Sequence, residues 1–128
     1  MKVGVIGSRT FKDYELLKKT LASFEITQII SGGASGADTI AEWYAFEKKI
    51  PLKVFRPDWK KFGKRAGFLR NTDIVKNSEH VIAFHNGESR GTMDSIQKAK
   101  DLGIPVTVII FEEEPITPKP IKGSVVNL

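Results

Sequence analysis

The chain has 128 residues and no cysteine. Disulfides, thiolate metal centres and a cysteine nucleophile are excluded. Its only histidines are His80 and His85, so a multi-histidine metal site is excluded too. No apolar run approaches the length needed to span a bilayer, and membrane association is not expected. The opening run Lys2–Ile6 is short, ends at Gly7-Ser8-Arg9, and reads as a first strand rather than a secretory leader. Missing cysteines and a missing leader together predict a cytoplasmic location. Proline is sparse until Pro115, Pro118 and Pro120 fall within six residues, directly after Glu112-Glu113-Glu114. That density excludes helix and central strand. The expected organisation is one domain over 1–111 and a Pro-rich tail over 112–128, with Ser124-Val125-Val126 as a possible edge strand.

What is present is charge of one sign in one place. Net charge is +5. Between Arg56 and Arg70 lie Arg56, Lys60, Lys61, Lys64, Arg65 and Arg70 against the single acid Asp58, so this window carries all of it. An anionic partner for this segment is expected.

Short β-branched runs recur at Lys2–Ile6, Thr27–Ser31, Leu52–Arg56, His80–His85 and Pro105–Phe111, as for strands buried on both faces. Between them the apolar period becomes helical. Tyr14, Leu17, Leu21 and Phe24 follow an N-cap at Asp13. Ala37, Ile40, Ala41, Tyr44 and Ala45 mark a second helix. Ala66, Leu69, Ile74 and Asn77 mark a third. Met93, Ile96, Ala99 and Leu102 mark a fourth, closed by Gly103 and Pro105. The order βαβαβαβαβ predicts an α/β, Rossmann-like three-layer domain: a five-stranded parallel sheet, order 3-2-1-4-5, with helices on both faces.

In such a sheet, ligands bind beyond the carboxyl ends of the strands, near the point where strand order reverses. Three glycine-bearing loops fall there: Gly7-Ser8-Arg9-Thr10 after strand 1, Ser31-Gly32-Gly33-Ala34-Ser35-Gly36 after strand 2, and Asn86-Gly87-Glu88-Ser89-Arg90-Gly91-Thr92 after strand 4. Each enters a helix, whose unpaired amides favour phosphate. Glycine lets backbone approach an anion closely. Convergence of the three predicts a phosphate-bearing ligand cradled by backbone N–H groups. Neither common fingerprint is met. The first turn lacks G-x-G-x-x-G, and Gly36 is followed by Ala37 where a P-loop has lysine.

Four motifs carry a family resemblance: Gly7-Ser8-Arg9-Thr10-Phe11 with Asp13, Ser31–Asp38, Arg56-Pro57-Asp58-Trp59 leading to Phe62–Asn71, and Glu88–Ile96 with Ala99. Together they resemble the YspA-like branch of the SLOG superfamily, over residues 4 to about 110. The resemblance implies a nucleotide or nucleotide-derived ligand, of the ADP-ribose or nucleoside monophosphate type, bound for sensing, sequestration or processing. Relatives include the LOG phosphoribohydrolases, which cleave nucleoside 5′-monophosphates, and DprA, which binds single-stranded DNA. LOG enzymes carry P-G-G-x-G-T-x-x-E. Here Gly91-Thr92 match, the Gly-Gly pair is missing and the catalytic glutamate position falls on Ser95. The arginine of their R-K-x-x-M stretch corresponds to Arg70. A homodimer is implied by LOG relatives.

Expected ligand contacts are Gly7, Ser8, Arg9, Ser31, Gly32, Gly33, Ala34, Gly36, Asp38, Trp59, Lys64, Arg70, Asn71, Ser89, Arg90, Gly91 and Thr92. Arginine forks suit phosphate, Trp59 offers a face for a base, and Asp38 an acceptor for ribose hydroxyls. Arg70, Asp38 and Asp94 are the candidates for catalysis. Asp94 lies about 100° round the helix from Ser95. No cofactor or metal is called for. The alternatives to a binding domain are an N-glycosidase acting on nucleoside 5′-monophosphates and a DprA-like single-stranded nucleic-acid binder.

Overall fold

A computed structural model describes residues 1–113. The Pro-rich segment, including the strand considered at Ser124-Val125-Val126, lies outside the described residues. The elements in chain order are β1 (Lys2–Gly7), α1 (Tyr14–Leu21), β2 (Gln28–Ser31), α2 (Ala37–Lys48), β3 (Leu52–Val54), α3 (Trp59–Phe62), a 3-10 turn (Gly63–Arg65), α4 (Ala66–Lys76), β4 (His80–His85), α5 (Arg90–Asp101) and β5 (Val106–Ile110). All strand pairs are parallel and the order is β3-β2-β1-β4-β5. The fold is therefore the α/β, Rossmann-like three-layer domain expected from the alternation of elements.

Strand order reverses at β1, which pairs β2 through Lys2↔Gln28 and β4 through Gly7↔Phe84. Alternate residues of the central strands feed two cores. Val3, Val5, Ile29, Ile82 and Phe84 pack under α1 and α2. Ile6, Ile30, Val81 and Ala83 pack under α4 and α5 with Ile74, Val75 and Ala99. Each fully buried valine, isoleucine or phenylalanine among them contributes roughly 1.5–3 kcal/mol over leaving it in water.

Helix starts follow local capping. The Asp13 carboxylate accepts from the Leu16 amide at 3.0 Å, and the Ser89 hydroxyl accepts from Thr92 N at 3.3 Å. Gly103, at φ +72°, turns the chain out of α5 ahead of Pro105.

Three expectations are corrected. Only β1, β2 and β4 are buried on both faces; β3 and β5 are edges, with Leu52, Val108 and Ile110 exposed. The inner face of α5 is Thr92, Ser95 and Ala99, whereas Met93 and Leu102 face outward. Small residues are needed there because α5 lies against α4 and β4. The third helical stretch is preceded by α3 and a 3-10 turn, and Leu69 on α4 is exposed while Asn71 is buried.

Candidate functional site

A cavity of about 470 Å³ opens beyond the carboxyl ends of β1, β2 and β4, where the order reverses. The β1 loop contributes Gly7, Ser8, Arg9 and Thr10 to its lining, and the loop after β2 contributes Ala34 and, from α2, Asp38. Trp59 and Lys64 come from the segment before α4, and Arg70 and Asn71 from α4 itself. Asn86, Ser89, Gly91, Thr92 and Ser95 close the β4 and α5 side. A second cavity of about 470 Å³ shares Arg9, Ala34, Trp59 and Arg70 with the first and extends over Gly32, Gly33, Ser35, Arg56 and Pro57. The two form one elongated cleft with Arg9 and Arg70 at its waist.

The glycines after β2 have a structural cause that differs in part from the sequence expectation. A Cβ at Gly32 would lie 2.6 Å from an Arg70 guanidinium nitrogen and 2.9 Å from Asp38 Oδ2. At Gly33, with φ +72°, it would lie 2.6 Å from Arg56 Nη1. The Arg70 guanidinium donates to the Gly32 carbonyl, and Arg56 Nη1 donates to Gly33 O at 3.4 Å. The missing side chains thus admit two arginines against the backbone. Gly36, at φ +78°, lets the loop close onto the Ser8 and Arg9 backbone, where any Cβ would collide.

Many of the loop amides are also already engaged. Ala37 N donates to Ser8 O at 3.2 Å, Ala34 N to Asp38 Oδ2 at 3.1 Å and Gly33 N to Ser31 Oγ at 3.4 Å. Across the cleft, Glu88 N and Ser89 N donate to Asn86 Oδ1, and Asn86 N donates to Ser8 Oγ at 3.2 Å. The cleft therefore offers guanidinium and ammonium groups as well as loop backbone. Buried unpaired amides are costly, and these six are satisfied within the protein.

Arg70 is the best-supported of these cations. It is half-buried, and its Nε donates to Asn71 Oδ1 at 3.0 Å. Asn71 Nδ2 in turn donates to Asp94 Oδ2 at 3.3 Å, and Asp94 pairs with Lys98 at 2.7 Å. This chain of contacts orients the guanidinium from behind. Burial pulls the Arg70 pKa below its ordinary value; Asp38 opposes the shift and nearby Arg9 adds to it. Two like charges close enough to interact favour an anion between them. Among the described residues, the ion pairs are Lys18–Glu47 and Asp94–Lys98, so Arg9, Arg56, Lys64 and Arg70 have no carboxylate partner there.

Among the described residues, Asp38 is the one carboxylate in the cavity wall. It is buried, and its pKa is pushed up to about 6 by desolvation, against the pull of the Ala34 amide and Arg70. It therefore changes charge close to neutral pH, beside the main cation of the site.

Three of the expected contacts, Ser31, Gly36 and Arg90, and the catalytic candidate Asp94 fall outside both cavity linings. Ser31 is buried at the end of β2, its hydroxyl held by the loop. Gly36 is packed on the β1 loop. Arg90 is exposed at the start of α5. Asp94 is turned to Lys98 and Asn71. His85 is buried, its Nδ1 has no partner among the described residues, and it lines neither cavity. Residues brought to the cleft that sequence reasoning did not single out as contacts include Arg56, Thr10, Asn86 and Phe68. Arg56 opens the basic window, and that charge density is the signal that points to it. Phe68 has none, since its exposure depends on how α4 is set.

The sequence profile of the YspA, cpYpsA-related SLOG family matches residues 1–62. That span holds β1, β2 and the loops that supply Gly7 to Asp38, and reaches Trp59. The chain is also similar to the Gene 61 protein of Mycobacterium phage D29. The two are 35% identical over 126 residues, covering 89% of this chain and 98% of the phage protein.

Proposed function

Because the chain belongs to the YspA, cpYpsA-related SLOG family, whose membership points to nucleotide-related binding or processing, we propose that its cleft binds a nucleotide-derived ligand of the ADP-ribose or nucleoside monophosphate type. The observation that carries this reading is the set of cations around the waist that have no ion-pair partner among the described residues. Arg9 and Arg70 face both cavities, Arg56 lies in one and Lys64 in the other. Guanidinium forks match phosphate oxygens in pairs. Trp59 is about half exposed and lines both cavities, an aromatic surface suited to stacking on a base. Hydroxyls of Thr10, Ser89, Thr92 and Ser95 supply neutral partners for sugar oxygens. The role is sensing, sequestration or processing of that ligand.

A second reading, cleavage of the N-glycosidic bond of a nucleoside 5′-monophosphate, is favoured by one feature. Asp38 has a pKa near neutrality and stands in the cavity wall, as an acid-base group requires. Ser95 lines the cavity at the position where LOG enzymes place their glutamate and cannot take that role.

Mass spectrometry of small molecules released from the purified protein, followed by thermal shifts with ADP-ribose, AMP and NAD, tests both. A ligand at about 100 times its Kd adds about 2.7 kcal/mol to stability, a rise of several degrees for a domain of this size. No shift with any of the three, and nothing co-purifying, removes the binding reading. Release of free base that stops in Asp38→Asn would establish the second.

A further inference from the structure

The cleft is electrically lopsided. Its Arg9–Arg70–Arg56 side is cationic, while the wall built from Thr10, Asn86, Ser89, Thr92 and Ser95 carries no charge. Beside that neutral wall lies Glu113, the last described residue. The Thr10 hydroxyl and Asn86 Nδ2, the latter at 2.6 Å, both donate to the same oxygen, Glu113 Oε1. Oε2 accepts no hydrogen bond from the described residues. A carboxylate has roughly four acceptor positions, so pinning one oxygen from two sides fixes the group and leaves the other available.

We propose that Glu113 is a specificity residue of the cleft: Oε2 accepts a hydrogen bond from a hydroxyl or amino group on the uncharged end of the ligand, so that the phosphates lie toward Arg9, Arg70 and Arg56. The carboxylate repels an anion at the neutral wall and attracts a donor there. Its two partners lower its pKa, which keeps it charged and acceptor-only. The proposal rests on the cleft being a nucleotide-type site, and it adds the direction in which the ligand lies.

Glu113→Gln tests it. The side chain is exposed, so the fold is preserved. The amide oxygen can still take the bonds from Thr10 and Asn86, and an NH2 donor replaces the free acceptor. Calorimetry on the full chain would use AMP, ADP-ribose and inorganic pyrophosphate. The two nucleotides are expected to weaken about tenfold, the scale of one hydrogen bond to a charged group, while pyrophosphate binds no more weakly than before. Equal affinities in both proteins overturn the proposal. So does tighter binding of all three ligands, which would make Glu113 only a competing anion. Wild-type protein that binds none of them overturns the nucleotide reading itself, and this orientation with it.

Discussion

The loops after β2 and β4 both carry glycine and sit on opposite walls of the same cleft, yet their glycines answer to different constraints. After β2, a methyl group on Gly32, Gly33 or Gly36 would meet an arginine, a carboxylate or another stretch of backbone. After β4, a Cβ at Gly87 or Gly91 would meet nothing within 4 Å. Gly87 is there for its turn, with φ +92°. Gly91 sits in the first turn of α5 with no such need. One loop is small because the protein's own cations press on it. The other keeps glycines where a side chain would meet nothing, and Gly91 borders the cavity.

The steepest contrast is at Gly36. Gly36→Ala forces an L side chain to φ +78° and drives it into the Ser8–Arg9 backbone, a loss of roughly 2–5 kcal/mol. Denaturant unfolding measures it, and a variant as stable as wild type would break the distinction between the loops. Gly32→Ala comes next. Its methyl displaces the Arg70 guanidinium, costing about 1–2 kcal/mol in stability and at least about tenfold in affinity for an anionic nucleotide, since a charge-assisted contact is lost. Arg70→Met should lose the same affinity and keep stability; a Gly32→Ala protein with wild-type affinity would mean that Arg70 does not hold the ligand.

Asp38 gives a smaller, pH-dependent effect. Its folded pKa of about 6 lies above its ordinary value of 3.8, so the folded state holds the proton more tightly. Its contribution to stability is full below about pH 4 and is lost as pH rises through about 6. Asp38→Asn should therefore be more stable than wild type at pH 8 and lose that advantage by pH 4. In wild type, affinity for ADP-ribose should rise as pH falls from 8 to about 5.5, because protonation removes a negative charge beside Arg70; the variant should be flat. Parallel profiles for the two proteins would exclude Asp38 as the titrating group. The mildest change is Gly91→Ala, which places alanine in a helix with open space around it. Stability should rise by up to about 1 kcal/mol, while any change in nucleotide affinity reports how closely the ligand approaches α5.

The sheet was legible because its cause is local. Alternating runs of β-branched residues and helical spacing identify strands and helices one at a time, and the crossover rule arranges them. What was not legible depends on how elements meet. Met93 and Leu102 have the spacing of a buried stripe, but tight packing of α5 turns Thr92, Ser95 and Ala99 inward instead. The three loops could be placed at one edge from the sequence. That Gly32 and Gly33 are pressed by Arg70 and Arg56, more than 20 residues away along the chain, could not. Glycine spacing shows that something lies close; it does not distinguish a ligand from a side chain. Asn71 is a similar case, a polar residue that in the fold supports Arg70 as well as lining the cavity.

Ser8 ties these walls together with every polar atom it has. Its amide donates to Phe84 O at 3.0 Å, its carbonyl accepts from Phe11 N and Ala37 N, and its hydroxyl accepts from Asn86 N at 3.2 Å. A single buried residue thereby rivets both halves of the sheet at the seam between them. Jaw-like opening would have to break several of these links together. A ligand of the kind proposed would meet a floor already held in place, with little of its binding energy spent on assembling the receptor.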